Sequence, residues 1–190
     1  MKSKTPSAVD RYKIVFCGPG LAGKRTNIEQ LRRRVLADGD VAPAEASGPI
    51  LTAGVQDEKL FRKKLLLNTV ADVPTSMALW STVLRGAHGI IFVADSDCSR
   101  YHDNIQAMSD VIAQLSSFRT KIDQFPFVIQ YNKRDLELAV PILKFEDELN
   151  PLGLPAFNAV AREGKGVIEC LQAINLLIEK SARADLITLG

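Results

Sequence analysis

The chain has 190 residues, 46% of them hydrophobic and 24% charged, with a formal net charge of +2. That length suits one domain with its own core, and the composition excludes an intrinsically disordered polar chain. The small net charge gives no argument for nucleic-acid or membrane-surface binding, and no apolar run approaches the roughly 20 residues of a membrane-spanning helix.

Residues 1–11 are polar and lack an apolar signal core, so a loose N-terminal tail is expected before a single domain over 12–185 and a short tail at 186–190. Residues 12–17 form a β-rich run that ends in glycines, a buried strand entering a loop. Ile28, Leu31, Val35 and Leu36 give residues 25–37 a helical spacing. Residues 38–48 are rich in Ala, Asp, Pro and Gly without periodicity and read as a loop. A short edge strand is expected at 50–55, a clearer strand at 63–70, and a segment at 73–84 that turns helical. Residues 89–94 are continuously apolar, as in a parallel strand covered on both faces. A helix over 101–118, a strand at 127–131, a short helix at 142–149, a weak strand at 156–161 and an amphipathic helix over 166–184 follow. Strands alternating with helices predict a three-layer, doubly wound, mostly parallel α/β sheet with ligand loops at the strand carboxyl ends.

Gly18-Pro19-Gly20-Leu21-Ala22-Gly23-Lys24 lies between the first strand and the first helix, which is the context a G-x-x-x-x-G-K phosphate loop requires. Its backbone N–H groups and the helix N-terminus suit phosphate oxygens, and Lys24 would reach the β- and γ-phosphates. The next position should carry a hydroxyl for Mg²⁺. It is Arg25, while Thr26 lies about 100° further round the helix. The phosphate-binding set is therefore Gly18, Gly20, Leu21, Ala22, Gly23, Lys24, Arg25 and Thr26, with no metal ligand assigned.

Asn132-Lys133-Arg134-Asp135 follows the strand at 127–131 and matches N-K-x-D, the base-reading element of guanine-binding proteins. The Asp135 carboxylate can accept from guanine N1–H and the exocyclic amine, a pair adenine cannot offer, and each bond to a charged group contributes about 1.5–3 kcal/mol. Asn132 would tie this loop to the phosphate loop, the Lys133 stem would pack over the ring, and Val160-Ala161 would bring a backbone N–H to guanine O6. Both motifs together should arise by chance in roughly one sequence of this length in a thousand.

With these motifs the sequence resembles the bacterial MglA-type polarity and gliding-motility GTPases. The matching stretches are 12–31, 86–96, 125–136 and 156–167, and the likeness covers most of 12–179. The resemblance implies a Ras-like P-loop fold, GDP or GTP as ligand, a bacterial cytoplasmic setting and a small Roadblock-type regulatory partner. Three departures fall on the hydrolytic parts. The family's G-K-T-T is Gly23-Lys24-Arg25-Thr26 here. A catalytic Arg and a Thr before Leu-Phe are replaced by Glu58-Lys59 before Leu60-Phe61. T-V-P-G-Q of the second switch is Thr69-Val70-Ala71-Asp72-Val73. Asp72 would set a carboxylate where the glycine N–H meets the γ-phosphate, and Val73 cannot orient water. The segment between the switches is short, which leaves the register of 38–70 open.

No catalytic residue is therefore assigned. The expectation is a pseudo-GTPase that binds guanine nucleotide and acts as an interaction module, set against a slow switch GTPase completed by a partner and against an empty scaffold. The remaining features are bland. Cys17, Cys98 and Cys170 form no metal or disulfide spacing and read as reduced thiols, and His88 and His102 lack metal-site neighbours. Arg32-Arg33-Arg34 and Arg62-Lys63-Lys64 read as solvated faces, and Trp80 as a half-buried core residue or a partner anchor.

Overall fold

A computed structural model describes residues 11–36, 45–47, 50–55, 64–70 and 77–188. The strands are β1 (Arg11–Cys17), β2 (Glu45–Ser47), β3 (Ile50–Val55), β4 (Lys64–Val70), β5 (Gly89–Asp95), β6 (Phe127–Asn132) and β7 (Ala156–Asn158). The helices are α1 (Lys24–Leu36), α2 (Met77–Leu84), α3 (Tyr101–Ser117), α4 (Ile142–Glu148) and α5 (Val167–Thr188), with short 3₁₀ turns at Cys98–Arg100, Ile122–Gln124 and Ala161–Glu163.

Among the described residues the strands form one sheet in the order β2-β3-β4-β1-β5-β6-β7. Strands β4, β1, β5, β6 and β7 run parallel, and β3 and β2 add to one side antiparallel. The chain winds outward from β1 in one direction and then in the other. A crevice therefore opens at the carboxyl ends of β1 and β5, where ligands of open α/β sheets bind.

The two faces are legible in the alternation of the strands. Ile14, Phe16, Ile91 and Val93 point to one side and pack with Ile28 and Leu31 of α1 and with Leu171 and Ile174 of α5. Val15, Cys17, Ile90 and Phe92 point to the other and pack with Val111 and Leu115 of α3 and Phe145 of α4. Side chains of a strand alternate faces, so strands apolar at every position must be covered on both sides. The whole of β5 is buried. Tyr131 stacks on Phe145 with centroids 4.9 Å apart, and its hydroxyl donates to Glu146 at 2.9 Å.

Several boundaries differ from the sequence reading. β1 begins at Arg11, inside the expected tail, because Arg11 pairs with Lys64 of β4. Residues 45–47, read as loop, form β2 against β3. Such a short strand leaves no alternation to detect, and it displaces β3 from the sheet edge. The open register is Thr52 opposite Asn68, antiparallel. β7 stops at Asn158 and Ala161 begins a 3₁₀ turn. α5 continues past Ala184 to Thr188, within the expected C-terminal tail. Among the described residues no helix is long and apolar enough to cross a membrane.

Trp80 is half-buried against the α3 side of the core. His88 accepts a hydrogen bond from the Lys13 N–H at 3.0 Å, and His102 packs edge-on to Tyr101. Arg33, Arg34 and Lys64 are exposed, whereas Arg62 and Lys63 lie outside the described residues. Cys17 and Cys170 are buried and Cys98 is exposed, and burial pushes both inner thiols up. Since the thiolate is the reactive form, one equivalent of Ellman's reagent is expected to react in the native protein and three after denaturation, measured by thionitrobenzoate release.

Candidate functional site

The phosphate loop leaves β1 at Gly18. Gly18 has φ +131°, and a Cβ there would lie 2.1 Å from the Val93 carbonyl oxygen of β5. Only glycine permits this approach of loop to strand. Gly23 has φ +97°, and its Cβ would fall 2.4 Å from Nδ2 of Asn132. The two glycines thus let the loop close against β5 on one side and the N-K-x-D segment on the other. Leu21 adopts φ +61°, unfavourable for a side chain, and is 70% exposed.

Lys24 is buried, and its ammonium donates to the carbonyls of Gly18 at 3.3 Å and Pro19 at 2.6 Å. It therefore spans the loop that it would share with phosphate. Behind the loop runs a buried polar chain. Gln130 of β6 donates to Asn27 of α1 at 2.9 Å, and Asn27 donates to the Gly23 carbonyl at 3.0 Å. Arg100, at the start of α3, donates to the Gly20 carbonyl at 3.0 Å and pairs with Asp103 at 2.7 Å. Asn104 closes the end of β5. It accepts from the Asp95 N–H at 2.7 Å and donates to the Asp95 carbonyl at 2.9 Å.

Asn132 joins the two motifs as expected. Its side chain donates to the Ala22 carbonyl at 2.7 Å and accepts from the Ala161 N–H at 2.8 Å. Three segments distant in sequence are thereby locked at one point: the phosphate loop, the N-K-x-D turn and the turn after β7. That last bond occupies the N–H expected to meet guanine O6, so a bound base would share it with Asn132. The Val160 N–H is also engaged, on the Lys165 carbonyl at 3.1 Å. Lys133 has φ +63°, and its ammonium sits on the buried Asp95 carboxylate at 2.6 Å, which anchors the lysine stem. Asp97 accepts from the hydroxyl and N–H of Ser99, at 2.7 and 2.9 Å, and those bonds hold its carboxyl below the usual carboxylate range.

Between these loops is a cavity of about 280 Å³ lined by Leu21, Gly23, Thr26, Asn132, Asp135 and Ala161, among others. Its size and lining suit a purine. Residues of both motifs wall this one cavity. Asp135 is 21% exposed and pairs with Arg162 at 2.7 Å. Thr26 lines this cavity.

Arg25 departs from its expected place. Its side chain is 73% exposed and pairs with Glu29, one turn along α1, at 3.1 Å. A cation in the first turn of a helix opposes the macrodipole, and a neighbouring carboxylate offsets that. The guanidinium thus turns to the helix surface and not over the phosphate loop. Among the described residues no group of His, Cys, Asp and Glu could hold a metal ion. Glu58, Lys59, Leu60, Phe61, Asp72 and Val73 of the two switches lie outside the described residues.

Asn27, Gln130, Asp95, Asn104, Arg100 and Arg162 brace or border the two motif loops and are absent from the motif-based set. Gln130 and Asp95 leave a trace in sequence, being polar in otherwise apolar strands. Arg100 and Arg162 leave none, because their partners are fixed only by the fold.

A mostly parallel sheet, a glycine-rich loop at the first strand–helix junction and a cavity at the β6 turn define the P-loop small GTPase fold of the Ras-like class. Over 181 residues the chain is 30% identical to the mutual gliding-motility protein MglA of Myxococcus xanthus, a match that takes in 87% of this chain and 89% of that protein. No family model matches the sequence. The chain belongs to the MglA family of small GTPases.

Proposed function

We propose that the protein is an MglA-like pseudo-GTPase. It binds GDP or GTP with little or no hydrolysis and serves as a protein-interaction module in bacterial polarity or motility control. The observation that carries this reading is a contrast within one loop. Gly18 and Gly23 let the loop close against β5 and Asn132, and Gly23, Asn132 and Asp135 wall one cavity, while the residue after Lys24 is an arginine turned onto Glu29.

The site fits the nucleotide better than it fits the metal. A bound nucleotide would place its base against Asp135 and its phosphates at the loop held by Lys24. Mg²⁺ would have to rely on phosphate oxygens and water, since the hydroxyl that usually follows the lysine is missing. In sequence, Asp72 and Val73 replace the glycine and glutamine that serve the γ-phosphate and the attacking water. The like charge of Asp72 favours GDP over GTP. The setting is a bacterial cytoplasm, and the partner class is a small Roadblock-type protein, both inferred from the family.

A slow switch GTPase completed by such a partner is the competing reading, and the family membership favours it. Multiple-turnover phosphate release separates the two. The pseudo-GTPase should release phosphate no faster than about 10⁻⁴ s⁻¹, the unaided range of Ras, with or without a purified Roadblock-type partner. Stimulation by the partner well above that rate would establish the switch enzyme.

Arg25→Thr restores the hydroxyl. It is expected to make nucleotide binding respond to Mg²⁺, tightening GDP by about tenfold, equivalent to about 1.4 kcal/mol, when the metal is added. Calorimetry with and without EDTA reads this directly.

A further inference from the structure

We propose that the protein docks an acidic peptide segment, anchored by one aromatic or branched apolar side chain, at the end of the sheet opposite the nucleotide cavity. The anchor enters a pocket of about 210 Å³ between the carboxyl ends of α2 and α3, and the acidic flanks meet a basic rim.

The pocket is apolar inside and open to water. Leu84 at the end of α2 and Leu115 and Phe118 at the end of α3 form its sides. Ile90 and Phe125 close it at the amino ends of β5 and β6. The loops of the nucleotide cavity leave the carboxyl ends of the strands, so the two sites can be filled at once. Leu84, Ile90 and Leu115 are buried, whereas Phe118 is 39% exposed, and a Cβ on Gly86 would meet nothing within 4 Å. An open apolar hollow with a polar edge marks a protein-binding surface. An engineered cavity of about 150 Å³ lined by Leu, Ile and Phe accepts a benzene ring, so this pocket has room for one phenyl or leucyl side chain.

The rim sets the charge of the flanks. Arg85 lines the pocket, Arg119 lies between its wall residues Phe118 and Thr120, and Lys121 follows. All three are exposed, and among the described residues none of them forms an ion pair. Lys13 of β1 is the fourth cation. Its ammonium donates to the Arg85 carbonyl at 2.9 Å, and burial lowers its pKa with no carboxylate beside it to offset the loss of water. Helix carboxyl ends attract cations, which accounts for one arginine at each helix. Lys13 and Lys121 are in excess of that, and Asp123 is the one carboxylate in residues 84–90 and 115–125. Carboxylates on a docked segment would supply the missing partners, whereas a basic segment would be repelled. The recessed pocket favours a peptide side chain over a flat anionic lipid surface.

The test is titration of the ¹⁵N-labelled full chain with a blocked peptide of one phenylalanine flanked on both sides by glutamates, followed by amide chemical shifts. Two control peptides carry alanine for the phenylalanine or lysines for the glutamates. The expected result is saturable shifts at Gly86, Ala87 and Thr120 with a dissociation constant below about 1 mM. Both controls should bind about tenfold more weakly or worse, the first for want of an anchor and the second through repulsion. Arg85→Glu with Arg119→Glu should weaken the acidic peptide by about tenfold and strengthen the lysine peptide. Both side chains are exposed, so the double variant should melt as wild type does and bind GDP equally well. No shifts at millimolar peptide, shifts centred elsewhere, or equal binding of either control overturns the proposal. So does binding of phosphatidylglycerol vesicles that the double variant loses while the peptide does not bind, since the rim would then serve a lipid surface. Failure of wild type to bind GDP removes the guanine-site reading and leaves this inference standing.

Discussion

Replacing Asp135 by alanine is expected to weaken GDP binding by roughly a hundredfold or more and to erase the preference for guanine over adenine. The carboxylate would accept two hydrogen bonds from the base, each contributing about 1.5–3 kcal/mol, so the pair represents about 3 kcal/mol at the low end. Asp135 lines the cavity and is only 21% exposed, which shields those bonds from competing water. The substitution also strands Arg162, which keeps only the 3.9 Å contact to Glu163. Stability should change little, since the ion-pair partner of Asp135 is the exposed Arg162, and a pair with so exposed a group contributes about 0–1 kcal/mol. Titration of GDP and ADP into both proteins, with melting curves alongside, checks binding and stability separately. A variant that loses GDP binding without unfolding supports base recognition through Asp135. Equal GDP affinity in the two proteins contradicts it.

Gly18→Ala is expected to act in the opposite way, on the fold first and on binding through it. Its Cβ would sit 2.1 Å from the Val93 carbonyl oxygen, at φ +131°. Neither the loop nor β5 can yield cheaply, because β5 is buried along its length and paired on both sides by β1 and β6. Backbone strain of about 1–3 kcal/mol and overpacking of about 1–3 kcal/mol place the loss near about 3 kcal/mol or above. For a domain of this size that lowers the melting temperature by roughly 6–12 °C. Gly153→Ala is the control. Gly153 also has a left-handed φ, +62°, but nothing lies within 4 Å of its added Cβ. It should lose only the backbone share, so a similar drop in both variants would count against the steric account.

The site was legible in sequence where chemistry is bound to spacing. Gly18 to Lys24 and Asn132 to Asp135 stand out because a phosphate cradle and a carboxylate clamp would need those residues at those intervals, next to a strand, and residues of both segments line one cavity. The parallel strands were legible too, since β5 and β6 are apolar at nearly every position. Where no period exists, the reading faltered: β2 has three residues and no pattern to detect. The direction of the Arg25 side chain was hidden for another reason. Sequence places a cation beside the phosphates, but whether it turns inward depends on Glu29 one helical turn away. Arg162 and Arg100 were hidden because their partners, Asp135 and Gly20, come near only after the sheet has ordered the loops.

Guanine-nucleotide binding by this protein is expected not to depend on a metal. Titration of GDP into the nucleotide-free protein, once with Mg²⁺ and once with EDTA, and with ADP as comparison, tests that claim most directly. The expected result is saturable GDP binding whose affinity changes by less than about threefold, or about 0.7 kcal/mol, on removal of the metal, with no comparable binding of ADP. Failure to bind GDP, equal binding of ADP, or a loss of tenfold or more in EDTA would contradict it.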